Sequence, residues 1–275
     1  MASDRIPFQC RFDSTDARGG ELKSIQLLGQ RIDATTYAET TSIVLAWAQH
    51  RLSKYVCVSN VHMVMESWDN RNFQRLVNGA DLVVADGMPL VWALRLYGVR
   101  TATRVYGPNL TWAVLSGAEK RGLAVGLYGG TTNSLQQFKQ VLKQRFPNLQ
   151  LACAIAPPFR PLTAQEDKAY TQQIIDSKVQ ILFVGIGCPK QEKWMAAHKG
   201  RLSMPMLGVG AAFDFHTGRV RQAPPFLQRC GLEWFFRLLM EPQRLWRRYL
   251  RHNPRFVCLF LHQWLCSIVR RCRPY

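Results

Sequence analysis

The sequence predicts an α/β protein: a Rossmann-like, mostly parallel sheet with helices on both faces, followed by a basic helical C-terminal appendage. Three observations predict it. Short β-rich runs alternate with helical stretches, polar or glycine residues close the apolar runs, and from Arg219 onward twelve arginines and no lysine stand against Glu233 and Glu241. Alternation of strand and helix is how a parallel sheet is covered on both sides, and 275 residues with 47% hydrophobic content are enough for one large α/β domain with an appendage.

Taken in order, Ser24 to Asp33 reads as a strand or short hairpin turning at Gly29, and Ala34 to Leu52 as a helix begun by Thr35 and Thr36. The β-rich runs that follow are Tyr55–Ser59, Leu82–Ala85, Ala124–Tyr128, Leu149–Ile155, Gln180–Gly185 and Met206–Val209. Between them lie helical stretches at Met63–Asn78, Pro89–Leu96, near Leu110–Arg121, Asn133–Arg145, Thr163–Ser177 and Pro189–Arg201. Thr163 with Glu166 makes a T-x-x-E capping box, a specific helix start. Residues 1–23 form a polar lead without the apolar core of a secretion signal, so the chain is expected in the cytoplasm. The eight cysteines include no C-x-x-C pair and no Cys/His cluster at metal-ligand spacing, which fits reduced thiols filling a core.

In such sheets ligands bind beyond the carboxyl ends of the strands, where loops converge and helix N-termini offer free N–H groups. Those ends carry Asn60, Asp86 with Gly87, Gly129 with Gly130, Gly187 before Pro189, and Ala212 before Asp214. Neither G-x-G-x-x-G after a strand nor G-x-x-x-x-G-K-[ST] occurs, which argues against a nicotinamide or flavin site and excludes a P-loop. In Leu127-Tyr-Gly-Gly-Thr-Thr-Asn133, paired glycines before a helix start let backbone N–H groups approach a diphosphate. Asp86 directly follows four apolar residues, a desolvated setting that raises a carboxyl pKa and suits a general base; a turn Asp before Gly is the alternative. Arg104 precedes a helix and suits either phosphate binding or the surface. His62 and His216 are polar-site or core histidines, and Asp81 a solvated strand-start residue. No D-x-D pair is present, so a metal-bridged diphosphate is not indicated.

Several blocks in order resemble the WecG/TagA/CpsF family of bacterial glycosyltransferases, glycosyltransferase family 26. They are Ser59-Asn-Val-His62, Ala80-Asp-Leu-Val-Val-Ala-Asp-Gly87, Arg104-Val-Tyr-Gly-Pro-Asn-Leu110, Leu127-Tyr-Gly-Gly130, Phe183-Val-Gly-Ile-Gly-Cys-Pro-Lys-Gln-Glu-Lys-Trp194, Gly208-Val-Gly-Ala-Ala-Phe-Asp-Phe-His-Thr-Gly-Arg219, Gly231-Leu-Glu-Trp-Phe-Phe-Arg237 and Glu241-Pro-Gln-Arg-Leu-Trp-Arg-Arg-Tyr249. The resemblance spans about Ile25 to Phe256. It implies inverting, metal-independent transfer, with no cofactor, from a UDP-sugar to a polyprenyl-diphosphate-linked sugar in surface polysaccharide synthesis. The sugar would be N-acetylmannosamine, its uronic acid, or glucose. It also implies Asp86 as the base, Asn60, Arg104 and Gln191 as pocket residues, and Gly129, Gly130 and Asp214 beside the nucleotide. Residues 24–218 then form the catalytic domain and 219–275 a membrane-associating appendage. The chain departs from many relatives at Val58, where Thr is usual, and at Asn109, where the usual G-x-D is Gly107-Pro-Asn109.

In the appendage, Arg237, Arg244, Arg248 and Arg251 recur at helical offsets and are expected on one face toward lipid phosphates, with Pro242 permitting a break. Phe256 to Val269 is apolar but shorter than the ~20 residues needed to span a bilayer, so a segment lying in the interface is expected, holding the enzyme peripherally on the inner face of the membrane. The alternative is a basic helix packed on the protein's own core. The competing function for a chain of net charge +18 is a non-enzymatic nucleic-acid-binding protein. It lacks a reading motif, and no nucleic acid is expected among the partners. A homo-oligomer stays open.

Overall fold

The computed structural model describes residues 22–271. The polar lead lies almost wholly outside the described residues, as do Cys10 and Cys272. The chain opens with a hairpin, β1 (Ser24–Leu27) and β2 (Gln30–Asp33), then runs α1 (Tyr37–Gln49), β3 (Lys54–Ser59), α2 (Val61–Asp69), α3 (Arg71–Asn78), β4 (Leu82–Ala85), α4 (Met88–Leu96) and α5 (Gly107–Lys120). It continues through β5 (Val125–Gly129), α6 (Thr132–Arg145), β6 (Leu151–Ile155), α7 (Ala164–Asp176), β7 (Ile181–Gly185), α8 (Lys190–His198) and β8 (Pro205–Gly208). Four helices finish it: α9 (Ala212–His216), α10 (Pro225–Arg229), α11 (Glu233–Met240) and α12 (Pro242–Arg271).

The strands form one eight-stranded sheet in the order β1-β2-β4-β3-β8-β7-β5-β6. Among the described residues only the β1–β2 pair is antiparallel, and β3 lies at the centre, paired with β4 on one side and β8 on the other. Successive strand residues point to opposite faces, and the two cores follow from that alternation. Tyr55, Cys57, Val83, Ala85, Leu182 and Val184 face one core with residues of α2, α3, α4, α7 and α8. Val56, Val58, Leu82, Val84, Ile181 and Phe183 face the other, with α1, α5, α6 and α9. Because both faces are covered, the central strands are apolar throughout instead of alternating with polar residues.

Local signals place the helices. Thr36 with Glu39 and Thr163 with Glu166 each form a complete capping box. The predicted helix over Met63–Asn78 is two helices. Asn70 interrupts it, closing α2 and accepting a hydrogen bond from the Phe73 N–H to start α3, at 3.0 Å.

The appendage is helical, and one side of α12 packs against the sheet domain. Leu245 and Phe256 are buried, Leu259, Phe260 and Trp264 pack on the larger core, and Gln263 accepts from the Leu28 N–H and donates to the Gln26 carbonyl, both at 2.8 Å. The other side leaves Trp246, Leu250, Val257, Leu261, Leu265 and Ile268 exposed. The core-packed expectation thus describes one side of the helix, and the other side is exposed and apolar. No helix among the described residues is long and apolar enough to cross a membrane.

The expected single arginine face is corrected. The helix breaks at Glu241, so Arg237 belongs to α11, and along α12 Arg248 turns inward while Arg244 and Arg251 stay exposed. Arg244 pairs with Glu241, and Arg251 lies 3.8 Å from Asp69. A helical offset counted through a break does not preserve a face.

Gly129 closes β5 with φ of 130°, and a Cβ there would stand 2.4 Å from the Gly185 carbonyl oxygen. Gly129→Ala is therefore expected to lose ~1–3 kcal/mol of stability, measured by urea unfolding.

Candidate active site

The carboxyl ends of β3, β4, β5, β7 and β8 open on the same edge of the sheet, and the loop from β4 to α5 folds over its centre. Asp86 leaves β4 with its N–H donating to the Ser59 carbonyl at 2.8 Å, and Val105 returns by donating to the Ala85 carbonyl at 2.9 Å. That return sets Gly107 over the strand ends: a Cβ there would lie 3.4 Å from Val58 and 3.7 Å from the Val209 carbonyl. The Gly107 N–H donates to Asp86 Oδ1 at 2.8 Å. The carboxylate stays reachable from outside but is densely surrounded. Burial pushes it up to about 6, with Arg104 opposing, Glu233 adding to the rise, and the Gly107 N–H and Arg237 opposing further. A carboxylate poised there can accept a proton near neutral pH.

Arg104 is the second centre. Its Nε donates to the Asp86 backbone carbonyl, one Nη donates to Glu233 Oε2 at 2.5 Å, the other donates to Gln228 Oε1 at 3.3 Å, and the guanidinium lies 4.2 Å from the Tyr106 ring centroid. Arg104 and Glu233 are each about 15% exposed. Burial works against the guanidinium charge, but Asp86 and Glu233 outweigh it and raise its pKa. Arg237, from α11, lies 5.2 Å over the Phe215 ring with its Nε buried and unpartnered. The appendage therefore contributes both a carboxylate and a guanidinium to this edge.

A second cluster sits at the end of β5. Asp214, on α9, accepts from Ser134 Oγ at 2.6 Å, and Gly130 lies against Ser134 and Phe213. Thr131 caps α6 through the Ser134 N–H and accepts from Arg219 at 3.3 Å. The Gly130 N–H donates to the Gly185 carbonyl at 3.2 Å, and Gly129 pairs with Gly185 in the ladder of β5 and β7. Gly129, Gly130 and Asp214 are thus together, joined by Thr131, Ser134 and Arg219, which sequence reasoning missed.

Two predicted pocket residues serve the scaffold. Asn60 caps α2, its side chain accepting from the Met63 N–H at 3.2 Å beside Gly87. Gln191 is 3% exposed, accepting from the Gly210 N–H at 3.1 Å and donating to Glu192 at 2.7 Å. It holds the loop after β8 from beneath instead of lining the opening. Glu192, also missed, is fully buried, and burial pushes it up to about 7. His216 stacks 3.8 Å from Trp112, its Nε2 is 3.1 Å from the Pro108 carbonyl, and burial lowers it to about 4, so it is a core histidine. Asp81 is a structural residue that pairs with Lys54 and Lys199, each at 2.9 Å. An open hollow among Arg51, Gln150, Ser177, Lys178 and Gln180 lies at the opposite ends of β5 and β7, and no acid lines it.

The family model described as Glycosyl transferase WecG/TagA/CpsF family matches residues 25–269. One similar protein is the N-acetylglucosaminyldiphosphoundecaprenol N-acetyl-beta-D-mannosaminyltransferase of Bacillus spizizenii, 26% identical over 233 residues that cover 84% of this chain and 87% of that one.

Glu233 is the appendage residue that raises the Asp86 carboxyl. Glu233→Gln is expected to move the Asp86 titration midpoint below about 6, read by carboxyl-carbon NMR of the labelled protein; an unmoved midpoint means that Glu233 has no electrostatic hold on Asp86.

Proposed function

Because the chain belongs to the WecG/TagA/CpsF family of glycosyl transferases, we propose that it transfers a hexose, with inversion, from a UDP-sugar to a polyprenyl-diphosphate-linked sugar. It is a glycosyltransferase of cell-surface polymer synthesis. The observation that carries the finer reading is the poised Asp86 carboxylate beside Arg104 at the open edge of the sheet. N-acetylmannosamine, the sugar in the name of the Bacillus spizizenii relative, is placed first as donor sugar. Its uronic acid and glucose follow.

In this scheme the acceptor hydroxyl gives its proton to the Asp86 carboxylate. Its oxygen bonds to the anomeric carbon from the side opposite the diphosphate, the bond from that carbon to the diphosphate oxygen breaks, and UDP departs with the electron pair. Arg104 and Arg237 meet the charge that develops on the leaving diphosphate. Fixed guanidinium groups can serve where a D-x-D pair would otherwise hold a metal. The nucleotide lies toward Gly129, Gly130 and Asp214, with Thr131 and Arg219 within reach of its phosphates. Asn60 and Gln191 act as positioning residues, through the start of α2 and through Gly210.

The acceptor's lipid tail requires the open edge to face a membrane. The exposed apolar side of α12, flanked by Arg244, Arg247 and Arg251, supplies the contact. Each such arginine near an anionic surface contributes ~1 kcal/mol.

Asp86→Asn keeps an acceptor for the Gly107 N–H and removes the base. Transfer from UDP-N-acetylmannosamine to a short-chain polyprenyl-diphosphate N-acetylglucosamine is expected to fall ~100-fold to ~10,000-fold, while UDP binding by calorimetry is unchanged; retained turnover rules out Asp86 as base. A raised carboxyl pKa contributes stability that is present at low pH and lost as pH rises through about 6. The Asn variant should accordingly be no less stable than wild type at neutral pH. For the membrane contact, Leu250→Asp with Leu261→Asp is expected to abolish co-flotation with phosphatidylglycerol vesicles without changing the thermal midpoint. Unchanged flotation would place the contact elsewhere.

A further inference from the structure

Where α12 crosses α2, three side chains meet that the transfer chemistry does not use. His62 and Glu66 stand one turn apart on α2, and His252 reaches them from α12. Glu66 Oε1 lies 3.8 Å from His62 Nδ1 and 3.8 Å from His252 Nε2. The two rings are 5.2 Å apart and tilted by 58°, and one donor atom from each of the three residues lies within 4.8 Å of the others. His252 is 6% exposed. His62 Nδ1, the atom that faces Glu66, is buried without a hydrogen-bond partner, a costly state unless something coordinates or donates to it. His62 also hydrogen-bonds the backbone of Cys188.

We propose that His62, Glu66 and His252 form a divalent-metal site of the zinc type that fastens the C-terminal helix to the sheet domain. Two imidazoles and a carboxylate are a ligand set zinc takes, with a fourth position left to water. With metal–ligand bonds of ~2.0–2.2 Å, ligands around a tetrahedral ion stand ~3.3–3.5 Å apart, so the two 3.8 Å separations from Glu66 and the third, within 4.8 Å between the histidine donors, close by side-chain rotation. Arg248, Arg251, Arg255 and Asp69 also face these histidines. Arg255 is held by Asp69 at 2.7 Å and 3.0 Å, and Arg251 lies 3.8 Å from the same carboxylate. Arg248 stands against a hard cation gathered by charge alone and leaves an imidazole-bound transition ion as the occupant. The ion joins elements distant in the chain and sets how firmly the exposed apolar side of α12 is presented. It plays no part in handling the diphosphate.

The test titrates metal-stripped full-length protein with Zn²⁺ alone by calorimetry and follows proteolysis within α12. About one equivalent is expected to bind and to slow cleavage of that helix. His252→Gln is expected to weaken Zn²⁺ binding at least ~10-fold and to remove the protection, while its metal-free thermal midpoint stays at the wild-type value. Should that variant not fold, Glu66→Gln takes its place. His262→Gln is the control: its side chain lies on the exposed side of α12, 3.8 Å from Cys266, and both readouts should be unchanged. Absence of stoichiometric binding in the wild type, undiminished binding by His252→Gln, or loss of binding in His262→Gln overturns the proposal. None of these outcomes depends on sugar transfer.

Discussion

The guanidinium of Arg104 is shared between two parts of the protein. One edge holds the Asp86 backbone carbonyl, another meets Glu233 at 2.5 Å, a third reaches Gln228, and its flat face covers Tyr106. With Arg104 in place, the strand end that carries Asp86, the loop leading to Gly107 and the first helices of the appendage form a single assembly. It also sets opposing charges around Asp86: Arg104 favours ionisation, and Glu233 and burial oppose it. Taking away either partner of a half-buried pair leaves an uncompensated charge, so the strand end that carries Asp86 and the docking of α11 are coupled through Arg104 and Glu233.

The sheet determines what can reach that assembly. Because β3 lies between β4 and β8, the chain leaves the centre in both directions, and the loops at the carboxyl ends diverge to leave a crevice, as open α/β sheets do. Asp86 and Gly107 stand over its middle, Gly129, Gly130 and Asp214 on one flank, and α11 and α12 close the other. The flank closed by α11 and α12 is the one next to the exposed apolar stripe of α12.

Much of this was legible in the sequence, because strands buried on both faces are continuous apolar runs and the residue that ends each run stands at the carboxyl edge of the sheet. Asp86 was visible as an acid directly after Leu82-Val-Val-Ala85, and the capping boxes marked two helix starts. Glu233 was not, because its partner Arg104 is a loop residue from another part of the chain and no local pattern joins them. Asn70 was passed over because hydrophobic periodicity runs on through it while its side chain starts a new helix. The arginines of the appendage were assigned to one face because their spacing is helical, but the break at Glu241 turns α11 away from α12. Gln191 was expected to line the pocket, but its apolar neighbours bury it under Gly208 and Gly210. His62 and His252 carry no local metal signature because the fold alone brings them together.

The proposed base is a half-buried carboxylate, raised by its surroundings, that accepts the acceptor's proton. The pH dependence of kcat/KM for transfer at a vesicle surface tests it most directly. The account predicts a rate that climbs ~10-fold per pH unit on the acid side and levels off above about 6. A rate that is flat between about pH 4 and pH 8, through the range where such a base titrates, would contradict it.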